Sequence, residues 1–362
     1  MKKWNIGWGP IAECNMHCQF CYSRRKRQEG NNLTIADWLH FIDGSGGLIN
    51  TINYGTGENT LSMDWFSLIS YIRKKFPEIR QSLTTNGHLS EAVKDNICMQ
   101  SFLESIDEVD VSLDFCQAES HNAFRGQSKA FDWVIETLKI CQYYGKTATI
   151  VFLGSEENAN LDNIDGLFSI AEKYGAILRM NIYRPTAGLT KLAQKFIIKW
   201  QTLLSVLEHI AKFHRVIAID DPFLSSYLTG RTVKDPSGND SLRILADGSI
   251  TPSTYLVDKK YVVGNIKEKN VLSQLSNDDK LADIVSRLVP NECHGCIYAD
   301  SCAGGVLDRR WLWYGTLARR DPYCPGIIKK SKTNKISVTT TNFCSVHDGY
   351  LPTIFFKPGK ED

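Results

Sequence analysis

Cys14-Asn-Met-His-Cys18-Gln-Phe-Cys21 sets three thiols within eight residues, at CX3CX2C spacing. The stretch follows a β-rich run over residues 4–11, so the cysteines fall on the loop leaving the first expected strand. Three thiolates on one short loop can converge on one cube of iron and sulfur, leaving a fourth iron without a protein ligand. An open iron can chelate a small molecule, whereas a cluster closed by four cysteines can only pass electrons. The alternatives are a partial zinc site or three unrelated thiols. Zinc knuckles use two CXXC pairs and close the fourth position.

Outward from this loop, β-rich runs recur at residues 48–54, 81–85, 108–114, 147–153 and 177–183. Between them lie helical patterns, such as 63–76 and 131–144, with apolar residues three and four apart. Strand-then-helix repetition predicts an α/β fold with a parallel sheet and helices outside it. Six such units are too few for a full eight-stranded barrel, so the expectation is a partial (β/α)6 TIM-like barrel. Its ligands would sit at the carboxyl ends of the strands.

A helical stretch at 195–213 closes this part, and the pattern then changes. Residues 241–250, with Asp247-Gly248 as the turn, followed by Tyr255 and 261–263, read as a β-hairpin. A short helix is expected at 271–275. The organisation expected is a barrel over 1–215, a small cysteine-rich domain over 216–328 and a loosely attached tail over 329–362.

The chain has 362 residues, enough for about two structural units. Forty-two Lys and Arg against 40 Asp and Glu leave a net charge of +2, which excludes a basic nucleic-acid coat and an acidic disordered chain. No apolar run approaches the roughly 18 residues of a membrane span. The first residues lack the apolar core and cleavage site of a signal peptide, so a cytoplasmic protein is expected. Eleven cysteines, an odd number, argue against a disulfide framework. They gather at residues 14–21 and 293–324, with none between Cys141 and Cys293, which suggests two separate metal sites.

The first cluster resembles the radical S-adenosylmethionine (SAM) superfamily, and the resemblance extends beyond the cysteines. Phe20, just before the third cysteine, matches the family pattern. Gly55-Thr56-Gly57-Glu58 looks like the family's Gly-Gly-Glu motif, whose backbone carbonyls meet the methionine ammonium of SAM and whose glycines allow close approach. Thr84-Thr85-Asn86-Gly87 closes the third strand as in relatives. Val111-Ser112-Leu113-Asp114, with Arg125-Gly126 downstream, resembles the fourth-strand motif that bonds the ribose or the methionine carboxylate. Asp114 has a second reading as a helix cap. Leu153 and Asn158 fall where relatives pack and bond the adenine, Asn158 reading equally as a turn residue. The resemblance implies a [4Fe–4S] cluster on Cys14, Cys18 and Cys21, bound SAM, and a 5′-deoxyadenosyl radical made inside a barrel that excludes water.

Cys293-X2-Cys296-X5-Cys302, followed by Asp321-Pro-Tyr-Cys324, looks like the C-terminal half of the SPASM extension, which typically carries seven cysteines and two auxiliary clusters. Upstream, Gly248 is kept, but Ser253 stands at the expected cysteine and none falls in 232–238. Downstream, Val306 stands at another. These are the cysteine ligands of the first auxiliary cluster, so the resemblance implies one auxiliary [4Fe–4S] cluster on Cys293, Cys296, Cys302 and Cys324. A structural zinc on the same thiolates is the alternative. Thr254 replaces the catalytic Asp of anaerobic sulfatase maturases, which disfavours that activity.

Other features carry less. Residues 23–27 (Ser-Arg-Arg-Lys-Arg) read as a solvated loop or a clamp for an acidic peptide or phosphate, and residues 309–314 (Arg-Arg-Trp-Leu-Trp-Tyr) as packing. Cys98, Cys116, Cys141 and Cys344 read as incidental thiols. Cys116 and Tyr54 are candidate catalytic groups near the SAM motifs, and His88 a candidate substrate-facing one. The resemblance points to a peptide substrate, cross-linked or otherwise matured after ribosomal synthesis, and to a flavodoxin- or ferredoxin-type electron donor. The alternatives are a small sugar, nucleoside or antibiotic intermediate, or a non-catalytic iron–sulfur or zinc module. No nucleic-acid or membrane partner is expected.

Overall fold

The computed structural model describes residues 2–24, 33–62, 64–93, 99–286, 289–329, 335–339 and 345–360. Strands β1 (Trp4–Trp8), β2 (Ile49–Tyr54), β3 (Arg80–Thr85), β4 (Glu108–Ser112), β5 (Thr147–Gly154) and β6 (Ile177–Ile182) lie in sequence order and run parallel. Helices α1 (Ile35–Ser45), α2 (Asp64–Lys75), α3 (Ala118–Arg125), α4 (Ala130–Tyr143) and α5 (Leu161–Tyr174) fill the crossovers. Thr34 begins α1 with a capping box, its side chain bonding the Asp37 backbone while Asp37 bonds back. These units form the expected partial barrel.

Alternation along the strands decides what faces the helices and what faces the interior. Trp4, Ile6, Trp8, Ile52, Tyr54, Leu83, Val109 and Val111 point outward into one apolar core with Trp38, Phe41, Trp65 and Leu138. Burying each such side chain contributes about 1.5–3 kcal/mol, and this face holds the barrel together. The opposite parity carries Asn53, Thr84, Asp110, Thr149 and Arg179, so the interior is polar.

Beyond β6 come helix α6 (Trp200–Phe213), β7 (Arg215–Ile219) and helix α7 (Pro222–Thr229). The expected hairpin is β8 (Ser241–Ile244) against β9 (Ser249–Thr251), with β10 (Gly264–Asn265) on β9. β8 also pairs parallel with β1, so the hairpin extends the barrel sheet instead of standing apart. Helix α8 (Leu307–Tyr314) lies within the cysteine-rich segment.

The last residues are not the loose tail expected. β11 (Ile354–Lys357) inserts antiparallel between β6 and β7, completing an eleven-stranded sheet. Ile354, Phe355 and Phe356 are fully buried there, so a short apolar run within polar sequence docks by filling the sheet. Ahead of it, the Glu108 carboxylate accepts from Ser345 Oγ at 2.9 Å and from the Val346 amide at 3.0 Å. No helix among the described residues is long and apolar enough to cross a membrane.

Candidate active site

The loop after β1 is sewn to the loop after β2. The Glu58 amide donates to the Glu13 carbonyl at 2.8 Å, and Gly57 crosses so close that an added Cβ would lie 2.1 Å from that oxygen. Gly57 also has φ +64°, so glycine is required twice over. Cys14, Cys18 and Cys21 pack with Met16, Phe20 and Trp133.

The three cysteines line one cavity with an empty volume of about 1150 Å³, counted to its open mouth. Gly55, Thr56, Gly57, Ser112, Arg125 and Leu153 line it too, so nine expected site residues from four strand ends meet at one place. This position, at the carboxyl ends of parallel strands, is where a barrel of this kind binds ligands.

Three expected contact residues stand behind that wall. Glu58 is fully buried and accepts from Thr60 Oγ1 at 2.7 Å, Thr85 Oγ1 at 2.9 Å and the Asn86 amide at 2.7 Å, tying the second loop to the third. Burial raises its carboxyl above the usual range. Asp114 takes Arg125 Nε at 2.7 Å on one oxygen and the Leu153 amide at 2.8 Å on the other. Asn158 donates to the Asp114 carbonyl at 3.2 Å and accepts from Ser155. Glu58, Asp114 and Asn158 therefore hold the lining residues in position.

Both candidate catalytic residues lie elsewhere. Tyr54 falls on the outward parity of β2, packed against Trp8 and Trp65, with its hydroxyl donating to Gln81 Oε1 at 2.6 Å. Cys116 presses its sulfur onto Gly166 of α5 and is absent from the cavity wall. His88 meets Thr60 Oγ1 at 3.0 Å and the Trp133 ring, also outside the wall. Cys98, Cys344 and residues 25–27 of the basic run lie outside the described residues.

The sequence reading missed residues that later elements bring into the cavity. Arg179 (β6), Arg184 and Arg243 (β8) line it, with Thr254, Tyr255, His347 and Tyr350, and Tyr22 beside Cys21 lines it from the first loop. His347 Nδ1 lies 2.9 Å from Asp110 Oδ2, which Arg179 Nη2 approaches at 3.3 Å, all three side chains being buried. Burial pushes the His347 imidazole down to about 4, with Arg179 adding to the effect. The available signal was an arginine flanked by apolar residues within a strand: Leu178-Arg179-Met180 and Leu242-Arg243-Ile244.

Cys293, Cys296, Cys302 and Cys324 line a second, smaller pocket of about 380 Å³, walled by Phe223, Tyr227 and Tyr298. Arg309 fixes its surroundings, donating to Asp321 at 2.9 Å and to Asp221, the N-cap of α7, at 2.8 Å. Among the described residues no three His, Cys, Asp or Glu side chains stand close enough to share a single metal ion; both cysteine sets instead border pockets. The positions without the expected SPASM cysteines form a buried hydrogen-bonded plug. Ser253 Oγ donates to Asp308 Oδ2 at 2.7 Å, Arg184 Nε donates to Asp308 Oδ1 at 2.8 Å, and Asp235 Oδ2 accepts the Leu307 amide at 2.7 Å.

Residues 9–185 match the family model described as "Radical SAM superfamily". The chain is 24% identical over 336 residues to the mycofactocin maturase MftC of Mycolicibacterium smegmatis, covering 88% of this chain and 82% of that one. It is 24% identical over 361 residues to the Fe-coproporphyrin III synthase of Methanosarcina barkeri, covering 89% and 88%. Its fold matches Streptococcus suis SuiB bound to the precursor peptide SuiA with a TM-score of 0.68 at 18% identity, over 90% of this chain and 76% of that one. With the motif match and the cysteine-lined cavity at the strand ends, residues 9–185 form a radical SAM domain, and the chain belongs through it to the radical SAM superfamily of enzymes.

Proposed function

We propose that this enzyme abstracts hydrogen from a peptide substrate, in the maturation of a ribosomal peptide by cross-linking or a related modification. The carrying observation is the convergence of Cys14, Cys18 and Cys21 with the Gly55–Gly57 loop, Ser112 and Arg125 on one cavity. Similarity to a maturase, and to a fold solved with a precursor peptide, supports the choice of substrate.

When bound, the reduced cluster and SAM supply a 5′-deoxyadenosyl radical. The chain's own residues supply position and exclusion. Cys14, Cys18 and Cys21 would hold three irons of the cluster. The backbone carbonyls of the Gly55–Glu58 loop would receive the SAM ammonium, and Ser112 and Arg125 would reach its ribose or carboxylate. Asp114 and Asn158 keep Arg125 and the Leu153 backbone in place. Phe20 stacks on Phe124 at 4.3 Å and helps to shut out water.

Cys293, Cys296, Cys302 and Cys324 would hold a single auxiliary [4Fe–4S] cluster, a reading supported by their sharing one pocket beside the barrel. With the Ser253–Asp308–Arg184 plug at the other auxiliary position, no iron there ligates the substrate. A cytoplasmic flavodoxin or ferredoxin supplies the electron.

Anaerobic protein should carry about eight irons per chain and yield 5′-deoxyadenosine with dithionite and SAM. No cleavage would remove the reading. The second reading, a small-molecule substrate, is favoured by the equal identity to the Fe-coproporphyrin III synthase. Peptides from neighbouring reading frames and a tetrapyrrole panel, tested side by side for substrate-stimulated cleavage, separate the two.

A further inference from the structure

The cavity wall is one-sided in charge. Among the described residues it contains four arginines (125, 179, 184 and 243) and no Asp or Glu. Three of the four have a carboxylate behind them: Arg125 has Asp114 at 2.6 Å, Arg184 has Asp308 at 2.8 Å and Arg179 has Asp110 at 3.3 Å. Arg243 has none among the described residues. Its partners are neutral oxygens: the Gly55 carbonyl and the hydroxyls of Tyr22 and Tyr350. A charge this buried and uncompensated is costly unless an anion joins it.

The donors also exceed the acceptors. Arg179 Nε and Nη1, Arg184 Nη2 and Arg243 Nε are buried without a hydrogen-bond partner. Arg179 and Arg243 are each only 1% exposed and Arg184 2%. The backbone of β1 leaves room on this side. An added Cβ on Gly7 would lie 1.5 Å from Tyr350 Oη and 2.9 Å from Arg243 Nη1, and one on Gly9 2.6 Å from Thr56 Cβ and 3.2 Å from Arg243 Nη2, so β1 omits two inward side chains where Tyr350, Thr56 and the guanidinium lie. Thr254 and Tyr350, their hydroxyls 2.5 Å apart, form the neighbouring wall.

We propose that Arg243, flanked by Arg179 and Arg184, forms a binding site for an anionic group on the substrate, a carboxylate or a phosphate. The proposal rests on the preceding reading only in treating this cavity as the place where the substrate sits. Binding is scored without turnover, so a failed radical assay and a failed anion site are distinguishable.

The test is calorimetric titration of the anaerobic, cluster-loaded and SAM-saturated enzyme with three probes: benzoylglycine, its neutral amide and phenyl phosphate. The carboxylate or the phosphate should bind roughly tenfold or more tighter than the amide, as a charge-assisted bidentate pair supplies. Whichever anion wins names the source. Arg243→Gln should erase the preference and Arg243→Lys should keep part of it. If Arg243→Gln fails to fold, the wild-type comparison of acid against amide still decides. Equal binding of all three probes by the wild type overturns the proposal, as does a preference that survives Arg243→Gln. Anions that bind only in competition with SAM also overturn it, because Arg243 would then belong to the SAM carboxylate.

Discussion

The two cysteine sets occupy opposite kinds of surroundings. Cys14, Cys18 and Cys21 border a large open cavity shared with glycine backbone and arginine side chains. Cys293, Cys296, Cys302 and Cys324 border a pocket about a third of that volume, walled by aromatic rings and an Arg309-centred ion network. An incomplete ligand set beside free space suits a centre that binds a small molecule, and a complete set in a closed pocket suits one that only passes electrons. The difference lies less in the cysteines than in what the neighbouring strands and helices bring to them.

The largest effect should come from breaking the open set. Cys18→Ala should lower 5′-deoxyadenosine formation by roughly a thousandfold or more, measured with dithionite and SAM. Cys302→Ala should instead cut iron content from about eight to about four per chain while cleavage without substrate persists. Equal loss of cleavage in both variants would erase the proposed division of labour.

The closed pocket depends on charge. Arg309 is fully buried between Asp221 and Asp321, joining α7, α8 and the loop that carries Cys324. Arg309→Met leaves two buried carboxylates facing each other, at a cost of about 3–5 kcal/mol. Denaturant melts should register that loss. Iron analysis should find the second set depleted and the first retained. Retention of all iron would show that the network does not support the pocket.

The open site was largely legible because its residues are local in sequence. Cys14–Cys21, Gly55–Glu58 and Ser112–Asp114 each sit on one strand end, and regular strand–helix alternation brings those ends together. What escaped came from pairing at long range. β11 reads as four ordinary residues near the end of the chain, and only the gap between β6 and β7 makes it a strand. The same insertion carries His347 and Tyr350 into the cavity, which no local pattern announces. Tyr54 was misread for a simpler reason. It adjoins the Gly55 loop in sequence, but the two-residue period of β2 turns it away from the interior.

That insertion gives the open cavity its own polar fastening, a buried neutral imidazole smaller in effect than Arg309 and set by pH. His347 lies against Asp110 and Arg179, with Arg243 contributing a further positive field, and burial is the main cause of its fall from 6.5 to about 4. Between those values the unfolded chain holds a proton on this imidazole that the folded chain rejects. Stability from this group is therefore complete above about 6.5 and declines as pH falls towards 4. The full difference is about 3 kcal/mol. Glu108 and Asp220, whose carboxyls burial raises, contribute with the opposite sign, so the wild-type curve alone does not isolate the imidazole. The decisive quantity is the gap between wild type and His347→Gln in urea melts from pH 7 to 4.5. It should narrow on acidification as the wild type loses its advantage. A gap constant across that range would mean that His347 fastens the C-terminal segment by shape alone, and that the cavity, like the closed pocket, is held by groups that do not titrate near neutrality.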